Sequence, residues 1–163
     1  MAGEANTLRP HVPRAARRMG VEEVVPVRRY LVVANQTLGG AHLAEAVQTR
    51  LSAGPCVFHI LVPATPPQDQ GTWTEGEAEA VARERLDKAI GRFGELGAEA
   101  TGEVGDPDPF QAVRDALAAE RYDELILSTL PSGVSRWLKR DLPSRVEKAF
   151  PFPVTHIEAR PEE

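Results

Sequence analysis

Short apolar runs alternate along this chain with longer segments in which apolar residues recur every three or four positions. Three runs are clear, at residues 30–34, 56–62 and 124–128, and two weaker ones lie at 99–104 and 154–157. Runs of this length, rich in β-branched residues, are typical of strands covered on both faces, whereas the longer segments predict amphipathic helices. The chain is therefore expected to alternate between strands and helices.

The predicted helices also carry recognisable end signals. Asp108 is a suitable N-cap for a helix that begins at Pro109. Ser144 and Glu147 have the spacing of a capping box at the start of the last helix. Five helices are predicted: after Gly40, over residues 77–96, from Pro109, over residues 135–140, and from about residue 141 to Phe150.

The order of these elements determines the topology. Strands that alternate with helices pair in parallel through right-handed crossovers, with helices on both faces of the sheet. Five strands in this succession predict an α/β fold of the flavodoxin-like, doubly wound type with strand order 3-2-1-4-5. In such a sheet the first and fourth strands diverge, and a ligand crevice opens at their carboxyl ends. We therefore expect the loop that begins at Asn35 to lie beside the loop that begins at Ser128.

Length, charge and cysteine content limit the class of protein. The 163 residues suffice for one ordinary domain, predicted over residues 28–160, after a basic N-terminal arm at residues 1–27. The arm is interpreted either as a frayed terminus or as a docking arm for a phosphate-rich partner. The net charge of -5 argues against nucleic acid or an acidic membrane as the partner, and no apolar run approaches the length of a membrane span. The single Cys56, which cannot form an internal disulfide, favours a cytoplasmic protein with a buried thiol.

Three short segments are similar to motifs of one known family. Residues 102–107 (Gly-Glu-Val-Gly-Asp-Pro) resemble its exit from the third strand, residues 122–127 (Tyr-Asp-Glu-Leu-Ile-Leu) its fourth strand, and residues 151–154 (Pro-Phe-Pro-Val) the entry to its last strand. On these segments the chain resembles the universal stress protein family, whose sheet is of the HUP type. The resemblance implies a stress-response protein that forms a homodimer and holds ATP or AMP in the crevice.

The chain departs from the family's phosphate-binding pattern, Gly-x2-Gly-x9-Gly-Ser/Thr. Among the glycines of this pattern, only one has a counterpart in this chain, Gly133. Arg140 and Asp141 stand where the final Gly-Ser pair is expected. Glycine lets backbone amides approach a phosphate closely, so fewer such contacts are expected here. Asn35 replaces the aspartate that commonly ends the first strand, although asparagine can bond an adenine or ribose edge. The chain is therefore interpreted as a divergent member with a degenerate ATP-binding motif.

The candidate ligand-binding residues come from the loops and strand ends that border the crevice. Arg136 and Arg140 are four positions apart, so on a short helix they would share a face and could clamp a phosphate. The alternative is that Ser128 and Ser132 cap turns, Trp137 packs on the sheet edge, and the cations are solvated. The candidates are Ala34, Asn35, Gln36, Thr37, Gly39, Gly40, Val62, Gly105, Asp106, Ser128, Thr129, Ser132, Gly133, Ser135, Arg136 and Arg140.

Residues typical of catalysis or metal binding are sparse. His42, His59 and His156 fall within a predicted helix or strands, where a core or edge histidine is the expected role. Asp106 and Asp108 are explained by a turn and a helix cap. The sequence has no metal-ligand spacing and no nucleophile paired with a base. No catalytic and no metal-binding residue is therefore predicted.

Three functions remain, in this order. The first is non-catalytic binding of an adenine nucleotide or another phosphorylated small molecule in the crevice. The second is a ligand-free dimeric interaction module, which would pair with a second copy through the edge of the last strand between Val154 and Ile157. The third is an enzyme of the wider adenine-nucleotide α/β class, for which the sequence supplies a fold but no catalytic group.

Overall fold

The computed structural model describes residues 26–66, 74–131, 135–151 and 153–159, and at Arg136 the backbone alone. Residues 1–25, which form most of the predicted arm, lie outside this part of the chain. The elements are, in order, β1 (Arg28–Val33), α1 (Ala41–Ala53), β2 (Cys56–Pro63), α2 (Glu75–Glu95), β3 (Glu99–Gly105), α3 (Pro109–Ala119), β4 (Glu124–Thr129), α4 (Arg136–Lys139), α5 (Leu142–Ala149) and β5 (Val154–Glu158).

The five strands form a single parallel sheet in the order β3-β2-β1-β4-β5. This confirms the predicted doubly wound α/β fold. The strand bounds differ from the predicted ones by at most two residues; β1, for example, begins at Arg28. Ala34 follows β1 instead of ending it, although its backbone N–H still donates to the carbonyl of Leu61 at 3.3 Å.

The central strands are covered on both faces, as their apolar composition predicts. Val32, Ile60 and Ile126 lie in a core cluster shared with α1 and α2, whereas Leu31 and Leu127 lie in a second cluster shared with α3 and α5. All five side chains have no exposed surface. A strand residue here is buried whichever face it points to, which is why the runs are apolar without alternation.

The weak pattern of β3 follows from its position at the edge of the sheet. Glu99, Thr101 and Glu103 alternate with less exposed positions and point toward solvent. A Cβ atom on Gly102 would lie 2.8 Å from the carbonyl oxygen of Ile60 and would also collide with the side chain of Leu86. The strand therefore packs closely against α2 because Gly102 has no side chain.

The start of α2 corrects one predicted boundary. The helix begins at Glu75, not at residue 77, because Thr74 and Glu77 form a reciprocal capping box. The Thr74 hydroxyl accepts from the Glu77 backbone N–H, and the Glu77 carboxylate accepts from the Thr74 N–H, both at 3.0 Å. By contrast, α3 begins as predicted: the Asp108 carboxylate accepts from the Phe110 N–H at 3.1 Å and Pro109 is the first helical residue.

The capping box predicted for the last helix is wrong. The helix begins at Leu142, two residues before Ser144, so Ser144 lies inside its first turn and cannot act as the N-cap. Pro143 is favoured in a first turn, where its missing N–H costs nothing, and this moves the start of the helix toward the N-terminus. Asp141 occupies the cap position in the left-handed conformation, with φ of 57°, and its side chain makes no capping bond.

The single cysteine lies at the first position of β2 and is partly buried, which modifies the prediction of a buried thiol. Its thiol lies 3.8 Å from the carbonyl of Arg50. Burial raises the pKa of the Cys56 thiol, and the charge of Arg50 opposes that shift only partly. Among the described helices, none combines the length and the apolarity that crossing a membrane requires.

Candidate functional site

The loops that follow β1 and β4 meet at the carboxyl edge of the sheet, as the strand order predicts. The two strands are direct neighbours, with Val33 opposite Leu127. Just beyond them, the hydroxyl oxygens of Thr37 and Ser128 lie 2.6 Å apart in a buried hydrogen bond. This bond joins the two walls of the crevice at its base.

The described residues that line the crevice are uncharged, and more of their exposed surface is apolar than polar. Six of the predicted residues contribute to it, together with four that were not predicted as ligand contacts, and the described lining contains no charged side chain. The cavity between these walls is about 40 Å³, room for roughly three water molecules. The lining residues are Asn35, Gln36, Thr37, Thr65, Pro66, Ser128, Thr129, Leu130, Ser135 and Trp137.

Asn35 already has protein partners for both ends of its amide group. Its Nδ2 donates to the carbonyl of Pro63 at 2.8 Å and approaches that of Thr65 at 3.5 Å. Its Oδ1 accepts a hydrogen bond from the Arg85 guanidinium. The side chain therefore fixes the segment after β2 and α2 against the end of β1, and a ligand that bonded this amide would have to displace one of these partners.

Two further hydroxyls of the lining also have partners. Thr129 Oγ1 lies 2.9 Å from Nε2 of His156, on the neighbouring strand β5. Partial desolvation of the ring of His156, whose residue is otherwise exposed, lowers its pKa, although the charges of Glu158 and Glu147 raise it in part, so the neutral imidazole is favoured. Ser135 Oγ accepts from the backbone N–H of Leu138 at 3.2 Å and so caps α4. Of the two serines expected to cap turns in the alternative interpretation, Ser128 bonds to the Thr37 side chain instead, and Ser132 lies outside the described residues.

Several predicted contacts lie away from the crevice. Ala34 and Val62 have no exposed surface, and Gly40 is the buried N-cap of α1. The carbonyl of Gly105 accepts from the N–H of Ala64, which ties the ends of β2 and β3 together. Asp106 is exposed and its carboxylate accepts from the N–H of Asp108 at 2.9 Å, the turn that the sequence suggests.

No protein-family model and no curated protein matches the chain. Among solved structures, a universal stress protein from Archaeoglobus fulgidus shares 14% identity with a TM-score of 0.57, covering 87% of this chain and 98% of that one. The chain has the universal stress protein fold. The resemblance noted in the sequence is thereby confirmed at the level of the fold.

Two further structures with the universal stress protein fold contain a nucleotide. A universal stress protein in complex with cAMP shares 16% identity with a TM-score of 0.55, covering 82% of this chain and 98% of its own. A family member from Arabidopsis thaliana with AMP bound shares 12% identity with a TM-score of 0.57, covering 84% of this chain and 94% of its own.

The loop that diverges most from the universal stress protein pattern is only partly described. Ser132, Gly133 and the side chain of Arg136 lie outside the described residues. The short helix does form, but it ends at Lys139, and the exposed Arg140 follows it in a turn. Arg140 lines a second cavity of about 220 Å³, together with Arg145. The phosphate clamp of Arg136 and Arg140 stays a prediction.

Trp137 is the residue whose role sequence reasoning missed. The alternative interpretation places it on the sheet edge, but only 9% of it is exposed and it belongs to the core cluster around Leu31 and Leu127. It also borders both the crevice and the second cavity, as do Thr65 and Pro66. Helix α4 is too short to show a helical repeat of apolar residues, so no sequence pattern predicts the burial of Trp137.

The histidines make local structural contacts. His59 lies between Thr101 and Glu103 on β3, with ring nitrogens 2.8 Å and 3.1 Å from their side-chain oxygens. Its ring stacks on Tyr122 with centroids 6.2 Å apart. In the part of the chain that the structure describes, no group of three or more histidine, cysteine or acidic residues is arranged to hold a metal ion.

Proposed function

We propose that this protein binds an adenine nucleotide, or another phosphorylated small molecule, in the crevice between β1 and β4 and does not transform it. The observation that carries the proposal is a hydroxyl- and amide-lined crevice at the switch point of a fold that also holds cAMP and AMP in other proteins. A cytoplasmic stress-response role, in which bound nucleotide alters contact with a partner, is part of the same proposal.

The lining suits the uncharged parts of a nucleotide. The hydroxyls of Thr37, Ser128 and Thr129 can donate to or accept from a base or ribose, and Trp137 offers an apolar surface. The adjoining cavity brings Arg140 and Arg145 close to the shared wall, where they could meet a phosphate group. None of the described lining residues is a general acid or base, which supports binding without turnover.

The small volume of the crevice adds a requirement. A site that encloses a small organic ligand typically measures about 300 to 1,000 Å³, several times the 40 Å³ between these walls. Nucleotide binding therefore requires the loops after β1 and β4 to separate. The hydrogen bond between Thr37 and Ser128 must break when they do.

A disulfide across the crevice tests both the place and the opening. The hydroxyl oxygens of Thr37 and Ser128 are 2.6 Å apart, so cysteine side chains at these two positions would bring their sulfur atoms close together. The variant Thr37→Cys/Ser128→Cys, when oxidised, should hold the loops together. We expect AMP, cAMP or ATP to raise the melting temperature of the wild type by about 5 °C at roughly one hundred times Kd, and the oxidised variant not to respond.

The reduced form of the same variant is the control, since it differs only by the disulfide and should regain the response. Cys56 lies at the opposite, amino end of β2 and cannot compete for pairing. A flat response of the wild type to all three nucleotides would refute nucleotide binding. An equal response of the oxidised and reduced forms would instead place the nucleotide elsewhere.

The second candidate function, a dimeric interaction module, is favoured by the exposed edge of β5. This strand pairs with β4, and no described strand pairs with its other edge. Val154, Thr155 and Ile157 are only half-buried there. We propose that two copies pair through these edges about a two-fold axis, since an unpaired strand edge presents N–H and C=O groups to a second strand.

A charge on this edge should separate the two copies. His156 is exposed on β5 and Glu158 lies two residues away, so His156→Glu would oppose like charges across a symmetric strand pair. We expect the wild type to elute as a dimer and His156→Glu as a monomer, measured by size-exclusion chromatography with light scattering. Ala118→Glu, at an exposed position of α3, adds the same charge elsewhere and should stay dimeric. A monomeric wild type, or equal behaviour of both variants, would contradict this interface.

A further inference from the structure

A third depression, here called the α2 groove, lies between α2 and the loop after β1. Its volume is about 440 Å³, far larger than the crevice. Gln36 and Gly39 line it from the loop, and Arg85, Lys88 and Arg92 line it from α2. Asn35 borders both the crevice and the α2 groove, so the two sites share one wall.

The helix side of the α2 groove is basic. Arg85, Lys88 and Arg92 occupy positions i, i+3 and i+7, which share one face of a helix. Two carboxylates, Asp87 and Glu95, also line the groove, so three cations oppose two anions in a protein whose net charge is -5. Cations therefore exceed anions by one among the lining residues, and Glu84, which pairs with Lys88 from outside the lining, offsets that excess in part.

Lys88 and Arg92 are available to a ligand. The only described ion pair of Lys88 is with Glu84 at 3.8 Å, and 78% and 69% of these two side chains are exposed. Such an exposed pair contributes little and exchanges readily with solvent or a ligand. Arg92 is exposed and makes no ion pair with any described carboxylate.

Arg85 gives an independent indication of an anion. Its guanidinium is partly buried and donates to the neutral Oδ1 of Asn35, and no described carboxylate lies within ion-pair distance of it. Burial lowers the pKa of Arg85, and the charge of Glu84 opposes that shift. Within the described residues the hydrogen-bond partner of Arg85 is a neutral amide, so an anionic ligand would add a charged partner.

We propose that the α2 groove binds a phosphate-bearing small molecule through Arg85, Lys88 and Arg92, as a site separate from the crevice. Guanidinium groups match phosphate geometry, and three cations on one helical face can contact one phosphate or two linked phosphates. The loop after β1, with Gln36 and Gly39, forms the opposite wall.

Titration with inorganic pyrophosphate, followed by calorimetry, tests this site. We expect Arg85→Gln and Arg92→Gln each to weaken pyrophosphate binding at least tenfold. Arg83→Gln is the matched control, because Arg83 is an exposed arginine of the same helix that does not line the groove, and it should bind as the wild type does. Arg85→Gln also removes the hydrogen bond to Asn35 and could disturb the loop after β1. Arg92→Gln leaves that bond in place, so it tests the site independently.

Comparison with the disulfide variant separates the two sites. Oxidised Thr37→Cys/Ser128→Cys should keep full affinity for pyrophosphate if the α2 groove is the site. Loss of binding in that variant would place the anion in the crevice and overturn the proposal. Equal weakening by Arg83→Gln, or no pyrophosphate binding by the wild type, would overturn it as well.

Discussion

Replacement of Trp137 by alanine is expected to lower the free energy of unfolding by about 4 kcal/mol, the usual cost of deleting a large aromatic side chain from a core. Only 9% of Trp137 is exposed, and it packs in the cluster that includes Leu31, Leu127 and Leu142. Its indole also separates the crevice from the second cavity, so its removal would merge two existing spaces. The surrounding chain cannot fill so large a void by relaxation.

Urea unfolding followed by circular dichroism would measure this effect. Trp137→Phe keeps an aromatic ring in the same cluster and should lose less than half as much stability as Trp137→Ala. A neighbouring substitution, Leu138→Ala, removes a half-buried side chain of the same short helix and should also cost less. If Trp137→Ala unfolded at the same urea concentration as the wild type, the described burial of the indole would be wrong.

The fold was predictable because burial on both faces leaves a strong imprint on composition. Val32 and Leu31 point to opposite faces and both are fully buried, which explains why a short uninterrupted apolar run indicates a central strand. Helix starts were less predictable. Thr74 and Glu77 have the capping-box spacing in the sequence, but residues 64–76 are rich in proline and glycine and were interpreted as a loop. The start of the helix was therefore predicted at residue 77.

The place of the crevice was predictable from topology, whereas its contacts were not. Thr37 and Ser128 were expected near each other because they follow neighbouring strands, and they are hydrogen bonded. The orientation of Asn35 toward Pro63 and Arg85 depends on long-range packing, which no local pattern encodes. Arg85 lies fifty positions from Asn35, on a helix whose spacing predicts only which face is apolar.

A charged cluster at the opposite, amino edge of the sheet ties α1 to β4 and β5. Arg50 Nη2 lies 2.6 Å from Glu124 Oε2, and Nε lies 3.3 Å from Oε1, so the contact is bidentate. Thr155 donates a hydrogen bond to the same carboxylate, and the guanidinium lies 5.6 Å from the centre of the Tyr30 ring. Only 16% of Arg50 and 13% of Glu124 side-chain surface is exposed, which limits solvent screening of the pair.

The titration of Glu124 gives this cluster a pH signature. Burial raises the pKa of Glu124, but hydrogen bonds from Arg50 and Thr155 and the positive charges of Arg50 and Arg28 lower it more, so it lies below its ordinary 4.5. A carboxyl whose pKa is lower in the folded state stabilises the protein above its unfolded pKa. That stabilisation is lost as the pH falls below 4.5 and through the folded value.

Arg50→Met is expected to lower the free energy of unfolding by about 3 kcal/mol at neutral pH, because it leaves a largely buried carboxylate without its cation. In the variant the pKa of Glu124 should rise, since burial remains and the charge of Arg50 is gone. The difference from the wild type should therefore shrink between about pH 7 and pH 3, because Glu124 becomes protonated in the variant at a higher pH than in the wild type, where its pKa is lowered. Urea unfolding at the two pH values would measure it.

The double variant Arg50→Met/Glu124→Leu separates a buried charge from lost packing. If the cost of Arg50→Met comes from the unpaired carboxylate of Glu124, replacing both partners by apolar side chains should restore most of the stability, and stability should then lose the acid-dependent contribution of Glu124. If the double variant is as unstable as Arg50→Met alone, the cost instead comes from contacts of the Arg50 side chain with Tyr30 and Ala46. The ion pair would then stabilise the junction of α1, β4 and β5 less than its geometry indicates.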